Sequence, residues 1–129
     1  MAINTSMQVL LLGGTIGTDE EKEILEKIGF TDIIEAFDDA SAWEVLEANR
    51  PEIIIAERQT RTFDGLAFLE RIRASEEYKH LAVILLFVSA PAVAEVTAVE
   101  RAGVNAWIPG TPEEAILRYF LEGIFRGLP

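Results

Sequence analysis

Five short runs of aliphatic residues recur along the chain, and each run is continuous rather than alternating with polar residues. Continuous β-branched and aliphatic runs are typical of strands that are covered on both faces, as in a parallel sheet. Segments with a helical pattern separate them. The order predicts strands at Val9–Leu12, Ile33–Phe37, Ile53–Ala56, Ala82–Val88 and Ala106–Ile108, each followed by a helix.

Two of these helices open with a capping box, in which an N-cap threonine is followed three residues later by a glutamate. The boxes are Thr18 with Glu21 and Thr111 with Glu114, and Pro112 takes the favoured first helical position. The predicted helix starts are Thr18, Asp38 or Asp39, Asp64, Ala92 and Thr111.

Alternating strands and helices with right-handed crossovers build a doubly wound α/β sandwich. The 129 residues fit one domain, residues 1–129, and no linker-like or repetitive segment divides them. Functional groups in such sheets gather outside the carboxyl ends of the strands. Glu57, Ser89 and Pro109 lie at three of the predicted ends.

Composition argues against several classes of protein. Without cysteine the chain has no disulfide, thiolate nucleophile or cysteine metal site. A net charge of −11 repels nucleic acid and anionic membrane surfaces, so we expect neither as a partner. The apolar run Leu81–Val88 is much shorter than the about 20 residues that span a bilayer. We expect a cytoplasmic protein that is not an enzyme, because no nucleophile–base pair can be assembled.

Several segments together resemble one family. They are "EILEKIGF" running into "IIEAFDDASAWEVL", "IIIAE" placed seven residues before "DGLAFLERIR", then "ILLFVSA" and "AGVNAWI". With these the chain resembles, over nearly its whole length, the receiver domain of bacterial two-component response regulators, the CheY-like family. The resemblance implies a sheet of strand order 2-1-3-4-5 and a signalling face on the fourth helix, fifth strand and fifth helix.

The family's chemistry is only partly represented in this chain. The resemblance implies a phosphoacceptor aspartate after the third strand, which holds Mg²⁺ with two acidic residues after the first strand. It also implies a Ser/Thr and a Lys that contact the phosphoryl oxygens. The matching positions here are Glu57 for the phosphoacceptor, Gly13 and Gly14 (or Leu12 and Gly13) for the acidic pair, Ser89 for the Ser/Thr, and Pro109 or Gly110 for the lysine.

These replacements argue against phosphorylation at Glu57. Mg²⁺ needs oxygen ligands that usually include carboxylates, and two are missing. Phosphoryl transfer also needs its charge neutralised, and no lysine follows Lys79. We therefore expect no Mg²⁺, no cofactor and no metal site. The interpretation is a degenerate receiver, a non-phosphorylated protein-interaction module in two-component or phosphorelay signalling.

Three roles stay open for Glu57 at this stage. Its charge either imitates a phosphoryl group, or accepts local hydrogen bonds from Ser89 or the glycine loop at 13–17, or is merely solvated. Two other functions also stay open. One is a response regulator phosphorylated weakly or at a non-standard site such as Ser89, and the other is a flavodoxin-like domain that binds a nucleotide or small ligand through the glycine loop.

The last helix carries an apolar arc wider than a core-facing helix needs. Excess apolar surface predicts an interface, either with a signalling protein or with a second copy as a homodimer. Trp107 occupies the family's aromatic switch position and is alternatively a core residue. The predicted interface residues are Val96, Val99, Trp107, Leu117, Leu121 and Phe125, and a Leu121→Glu change is predicted to leave the fold intact.

Overall fold

The fold was analysed in a computed structural model that describes residues 3–13, 18–110 and 112–126, without the side chains of Thr18 and Arg126. Strands and helices alternate along the described chain. The strands are β1 (Val9–Leu12), β2 (Ile33–Ala36), β3 (Ile53–Glu57), β4 (Ala82–Phe87) and β5 (Ala106–Pro109). The helices are α1 (Thr18–Ile28), α2 (Asp39–Asn49), α3 (Gly65–Ala74), α4 (Val93–Arg101) and α5 (Glu114–Arg126).

The strands form one parallel sheet in the order β2-β1-β3-β4-β5. All five strand starts that the apolar runs predicted are confirmed, and each strand end lies within one residue of its prediction. The predicted α/β sandwich is therefore confirmed, with β2 and β5 at its two edges. Among the described residues, none of the helices combines the length and the apolar character needed to cross a bilayer.

Alternate side chains of the central strands enter two separate core layers. Leu10, Ile54 and Leu85 pack in the layer that α2, α3 and α4 cover. Their chain neighbours Leu11 and Ile55 point to the other face, where α1 and α5 lie. Because both faces are covered, the strands had to be apolar at every position, which explains their continuous pattern.

Side-chain caps fix the starts of two helices as predicted. Asp38 accepts a hydrogen bond from the backbone N–H of Ser41 at 2.7 Å and caps α2. Asp64 accepts from the N–H groups of Leu66 (2.9 Å) and Ala67 (3.4 Å) and caps α3. Each cap supplies an acceptor to N–H groups that have no partner within the helix.

The starts of α1 and α5 differ from those that the predicted capping boxes imply. Thr18 is already the first helical residue of α1 rather than its N-cap. In α5 the first helical hydrogen bond runs from the N–H of Leu117 to the carbonyl of Glu113 at 3.0 Å, and the helix begins at Glu114, after Pro112. Thr111 lies outside the described residues.

The interface prediction for α5 is wrong for its central residues. Leu117 and Leu121 are completely buried in the core layer shared with α1, and Val99 is completely buried in the layer shared with α2 and α3. Their side chains fill the core because they are the members of the apolar arc that face the sheet. A charged residue at position 121 would be buried, so Leu121→Glu is expected to disrupt the fold.

Candidate functional site

The end of β3 is held by a set of backbone contacts around Glu57. Glu57 is the last residue of the strand and pairs in register with Leu86 of β4. The next N–H, of Arg58, donates to the carbonyl of Leu86 at 2.8 Å, and the N–H of Gly65 donates to the carbonyl of Arg58 at 2.7 Å. The first turn of α3 is thereby tied to the tip of β3.

Gly65 is required by this close approach. A Cβ atom built on Gly65 would lie 2.4 Å from the carbonyl oxygen of Glu57 and 3.0 Å from that of Arg58. Both neighbours are backbone atoms, which cannot rotate away as a side chain does. The position of Glu57 therefore depends on a residue without a side chain eight positions further along the chain.

A small cavity lies between the ends of β1 and β3 and contains two carboxylates. Its volume is about 10 Å³, close to the space that one water molecule needs. The acidic side chains that line it are Glu57 and Glu21, and Gly13 contributes backbone. The remaining lining residues are apolar: Leu11, Leu12, Ile55 and Leu86.

Glu21 is the buried member of the pair. Its side chain extends from the first turn of α1, its residue is 8 % exposed, and its buried Oε2 atom has no hydrogen-bond partner among the described residues. Burial raises the pKa of the Glu21 carboxyl, and the charges of Glu57 and Glu20 add to the rise against a hydrogen bond from its own backbone. Each effect follows from placing a carboxylate in an apolar site beside another negative charge.

The positions that replace the family's acidic pair and lysine carry no charge. Gly13 is buried, and its N–H donates to the carbonyl of Ala36 at 3.2 Å. Gly14 and the rest of the glycine loop, 14–17, lie outside the described residues, so the predictions made for them stay predictions. Pro109 ends β5, and Gly110 follows it with a φ of 76°, where glycine is favoured.

The cation next to Glu57 along the chain is already paired. The guanidinium of Arg58 donates to a carboxylate oxygen of Asp64 at 2.7 Å, and its side chain is mostly buried. Asp64 thus caps α3 and also neutralises the charge of Arg58. Within the described part of the chain, no three histidine or acidic side chains cluster as metal ligands do.

Ser89 and Glu57 line different hollows. Ser89 is exposed and lies in the β4–α4 connection, in a hollow that also contains Arg58 and Glu95. Glu57 lines the small cavity on the side of β1. Glu57 takes part in interactions of its own, so it is not merely solvated. The predicted contact between Glu57 and Ser89 stays a prediction.

A second candidate site is an open groove along β5 and α5. It has a volume of about 500 Å³ and lies next to a hollow of about 370 Å³ that shares Asn105 and Phe120 with it. Two apolar α5 residues on this side are exposed, Ile116 at 43 % and Tyr119 at 70 %. We refer to the groove and this hollow together as the α5 groove, and it is lined by Glu100, residues 104–109, Ile116, Tyr119, Phe120, Gly123 and Ile124.

Trp107 packs against the core, as one of its two predicted roles requires, and its role as a switch residue stays a prediction. Its ring packs edge-on against Phe87 with 5.8 Å between the centroids, and it borders the core layer under α4. It is also partly exposed and lines the α5 groove. Of the other predicted interface residues, Val96 and Phe125 are partly exposed.

Charge is distributed unevenly across the sheet. Residues 19–52, which contain α1, β2 and α2, carry 12 acidic and 3 basic residues, a net charge of −9. Residues 53–129 carry 10 acidic and 8 basic residues, a net charge of −2. The α5 groove, at the β5 edge, therefore belongs to the nearly neutral part of the molecule.

Two functional features were missed by the sequence analysis. Glu21 was assigned to a cap, although it shares the spacing i, i+4, i+7 with the buried residues Leu25 and Ile28, which was the available signal. The exposure of Ile116 and Tyr119 carried no comparable signal, because periodicity alone does not tell which half of a wide apolar arc faces the sheet.

Comparison with known proteins relates this chain to chemotaxis proteins. It is 31 % identical over 107 residues to chemotaxis protein CheY-3 of Vibrio cholerae, covering 83 % of this chain and 82 % of that protein. It is 30 % identical over 95 residues to chemotaxis protein CheY1 of Helicobacter pylori, covering 71 % and 76 %. No protein-family model matches the chain.

Solved structures share the fold at lower sequence identity. The receiver domain of the sensor histidine kinase PA1611 from Pseudomonas aeruginosa has a TM-score of 0.80 at 20 % identity, over 95 % of this chain and 99 % of that one. The signal receiver domain of a DNA-binding response regulator from Colwellia psychrerythraea has a TM-score of 0.79 at 15 % identity, over 92 % and 98 %.

Proposed function

The chain belongs to the CheY-like response-regulator receiver family, and from this premise we propose that it is a receiver domain that signals by protein contact without being phosphorylated at Glu57. That the chain is a receiver domain of two-component or chemotaxis signalling rests on its family membership. Our proposal adds that this chain lacks the phosphorylation chemistry and retains an interaction surface.

The observation that carries the proposal is the cavity beside Glu57. At about 10 Å³ it has room for one water molecule, whereas a phosphoryl group adds four heavy atoms. The described residues that line it are acidic or apolar, so none of them supplies a cation to neutralise a phosphoryl group. The nearby guanidinium of Arg58 is held by Asp64, so it is not free to neutralise that charge. The size of the cavity and the charge of its lining therefore both argue against phosphorylation at Glu57.

The α5 groove supports the second half of the proposal. Tyr119 and Ile116 expose apolar surface beside an open groove that reaches Trp107. An apolar surface rimmed by polar residues favours protein docking. We assign the groove to a signalling partner rather than to a second copy, because two chains of net charge −11 repel each other.

Phosphodonor labelling tests the first half. The protein is incubated with a small-molecule phosphodonor and Mg²⁺, and its intact mass is followed over time. We expect no stable addition of a phosphoryl group, and the same result for a Glu57→Gln variant. Stoichiometric modification of Glu57 would overturn the proposal, and modification mapped to Ser89 would favour the alternative of a non-standard site.

Variants of the exposed groove residues test the second half. Partners bound by the wild-type protein are identified, and their affinity is then measured against Ile116→Glu and Tyr119→Glu. We expect a loss of at least about tenfold, because a charge would be placed in an apolar contact. Phe37→Glu is the matched control, since Phe37 is 42 % exposed and follows β2 at the opposite edge of the sheet. If both groove variants bind as the wild type does, the groove is not the docking surface.

A further inference from the structure

The cavity between β1 and β3 has a property that the receiver assignment does not explain. It holds a carboxylate, Glu21, at a place where the family's chemistry requires none, on the first turn of α1. The residue is 8 % exposed, and its Oε2 atom is buried without a hydrogen-bond partner among the described residues. The carboxylate accepts a hydrogen bond from its own backbone, but a buried oxygen without a partner remains costly and favours a ligand that neutralises it.

We propose that Glu21 and Glu57 form a carboxyl pair that binds one proton, and that Glu21 carries this proton. Two ionised carboxylates facing one small apolar cavity repel each other, so one member of such a pair retains its proton to a higher pH. Glu21 is the member in the more apolar surroundings, because it is buried whereas Glu57 is partly exposed. Burial and the charge of Glu57 also raise the pKa of Glu21.

Among the described side chains, which do not include that of Arg126 on α5, no charged group supplies a cation to Glu21. Glu20, on its own helix, adds negative charge. Lys22, the next residue, lies 3.5 Å from a carboxylate oxygen of Glu35 on β2. Helix α5, which packs against α1, carries Arg118 paired with Glu114. Strands β1 and β4 contribute only apolar residues to the cavity.

The size of the cavity favours a proton over a metal ion. Mg²⁺ keeps several water molecules when it binds through only one or two carboxylates, and about 10 Å³ accommodates one. Protonation costs no additional volume. It also removes one of two like charges, so the first turn of α1 approaches the end of β3 without electrostatic repulsion.

Carboxyl-detected NMR tests the proposal directly. The protein is labelled with ¹³C-glutamate and titrated in the presence of EDTA. We expect one glutamate carboxyl to titrate above the ordinary value of 4.5, to disappear in Glu21→Gln, and to shift to a lower midpoint in Glu57→Gln. Glu23→Gln, an exposed position on the same helix, is the control and should leave that midpoint unchanged.

Three results would overturn the inference. They are a spectrum in which every glutamate titrates in its ordinary range, a midpoint that does not respond to Glu57→Gln, and displacement of the proton by millimolar Mg²⁺. The first two leave the proposed function standing, because phosphodonor labelling is measured separately. The third would count against both, since it would make the cavity a metal site.

Discussion

The guanidinium of Arg73 donates a hydrogen bond to the side-chain oxygen of Asn105, which lies 2.8 Å away and 32 positions further along the chain. The same oxygen accepts from the backbone N–H of Val83 at 2.8 Å, so Asn105 joins α3 to β4. Arg73 also donates to three carbonyls in the connections around β4 and β5, those of Lys79, Leu81 and Gly103. One side chain thereby organises the amino-terminal end of the sheet, opposite the functional end.

Arg73→Met should destabilise the protein by about 3 kcal/mol. Methionine keeps much of the aliphatic stem of arginine but removes the charged donor group. A hydrogen bond from a charged donor contributes about 1.5–3 kcal/mol to stability. Chemical denaturation measures the change. Arg101→Met, at an exposed position on α4, is the control and should alter the free energy of unfolding by less than about 0.5 kcal/mol. Equal effects of the two changes would contradict the role given to Arg73.

Two glycines should respond to alanine in opposite directions. Gly65→Ala should destabilise by about 1–3 kcal/mol, because its Cβ would clash with the carbonyl oxygen of Glu57 at 2.4 Å. Gly123→Ala should stabilise by about 0.5–1 kcal/mol, because Gly123 lies inside α5 with no atom near the added Cβ and alanine favours helix. Thermal unfolding of the two variants checks the opposite signs. A neutral Gly65→Ala would mean that the tip of β3 adjusts freely.

The division of α5 into a buried and an exposed side predicts a large difference between neighbouring residues. Leu121→Ala should cost about 2–5 kcal/mol, because it leaves a cavity in the layer shared with α1. Tyr119→Ala should cost less than about 1 kcal/mol, because Tyr119 is mostly exposed. Denaturant midpoints measure both. A small effect of Leu121→Ala would mean that α5 packs with a different face.

Stability should depend on pH through Glu21. The pKa of this carboxyl is raised by folding, so the folded state holds the proton more tightly and stability falls as the pH rises from 4.5 through the folded-state pKa. Glu21→Gln removes that titration. Relative to the wild type, the variant should gain stability over this range, by an amount on the order of 1 kcal/mol, the usual cost of an unsatisfied buried polar group.

Thermal unfolding between acidic and neutral pH measures this dependence. Below 4.5 both states of the wild type are protonated, so the pH-dependent part of the difference should vanish. The difference in stability between Glu23→Gln and the wild type should not vary with pH in this way. If the stability gained by Glu21→Gln grew toward acidic pH, the predicted pH dependence would be contradicted.

The strands were predictable because burial on both faces imposes a continuous apolar pattern. The run Ile53–Ala56 is short and mostly β-branched, which favours a covered strand over a helix, and the structure extends it by one residue, Glu57. The caps at Asp38 and Asp64 were predictable for a similar reason, since an acidic residue before an apolar stripe satisfies free N–H groups locally. Such features depend on neighbours in the sequence.

The site was less predictable because it depends on residues that are distant in the chain. Glu21 lies in a stripe with Leu25, but only the ends of β1 and β3 show that its carboxylate is buried beside Glu57. The wide apolar arc of α5 allowed two orientations, and the contact with α1 selects the one that buries Leu121. The close contact at Gly65 likewise exists only once α3 docks on β3.

The uneven charge of the molecule affects how partners arrive. With −9 carried by residues 19–52 and −2 by the rest, negative charge is concentrated in the part of the molecule that contains the β2 edge of the sheet. A basic partner is drawn toward α1 and α2, whereas a partner of low net charge meets little electrostatic repulsion at the α5 groove. Salt should therefore slow the encounter with a basic partner, because exposed charges more than about 8 Å apart are largely screened at physiological ionic strength.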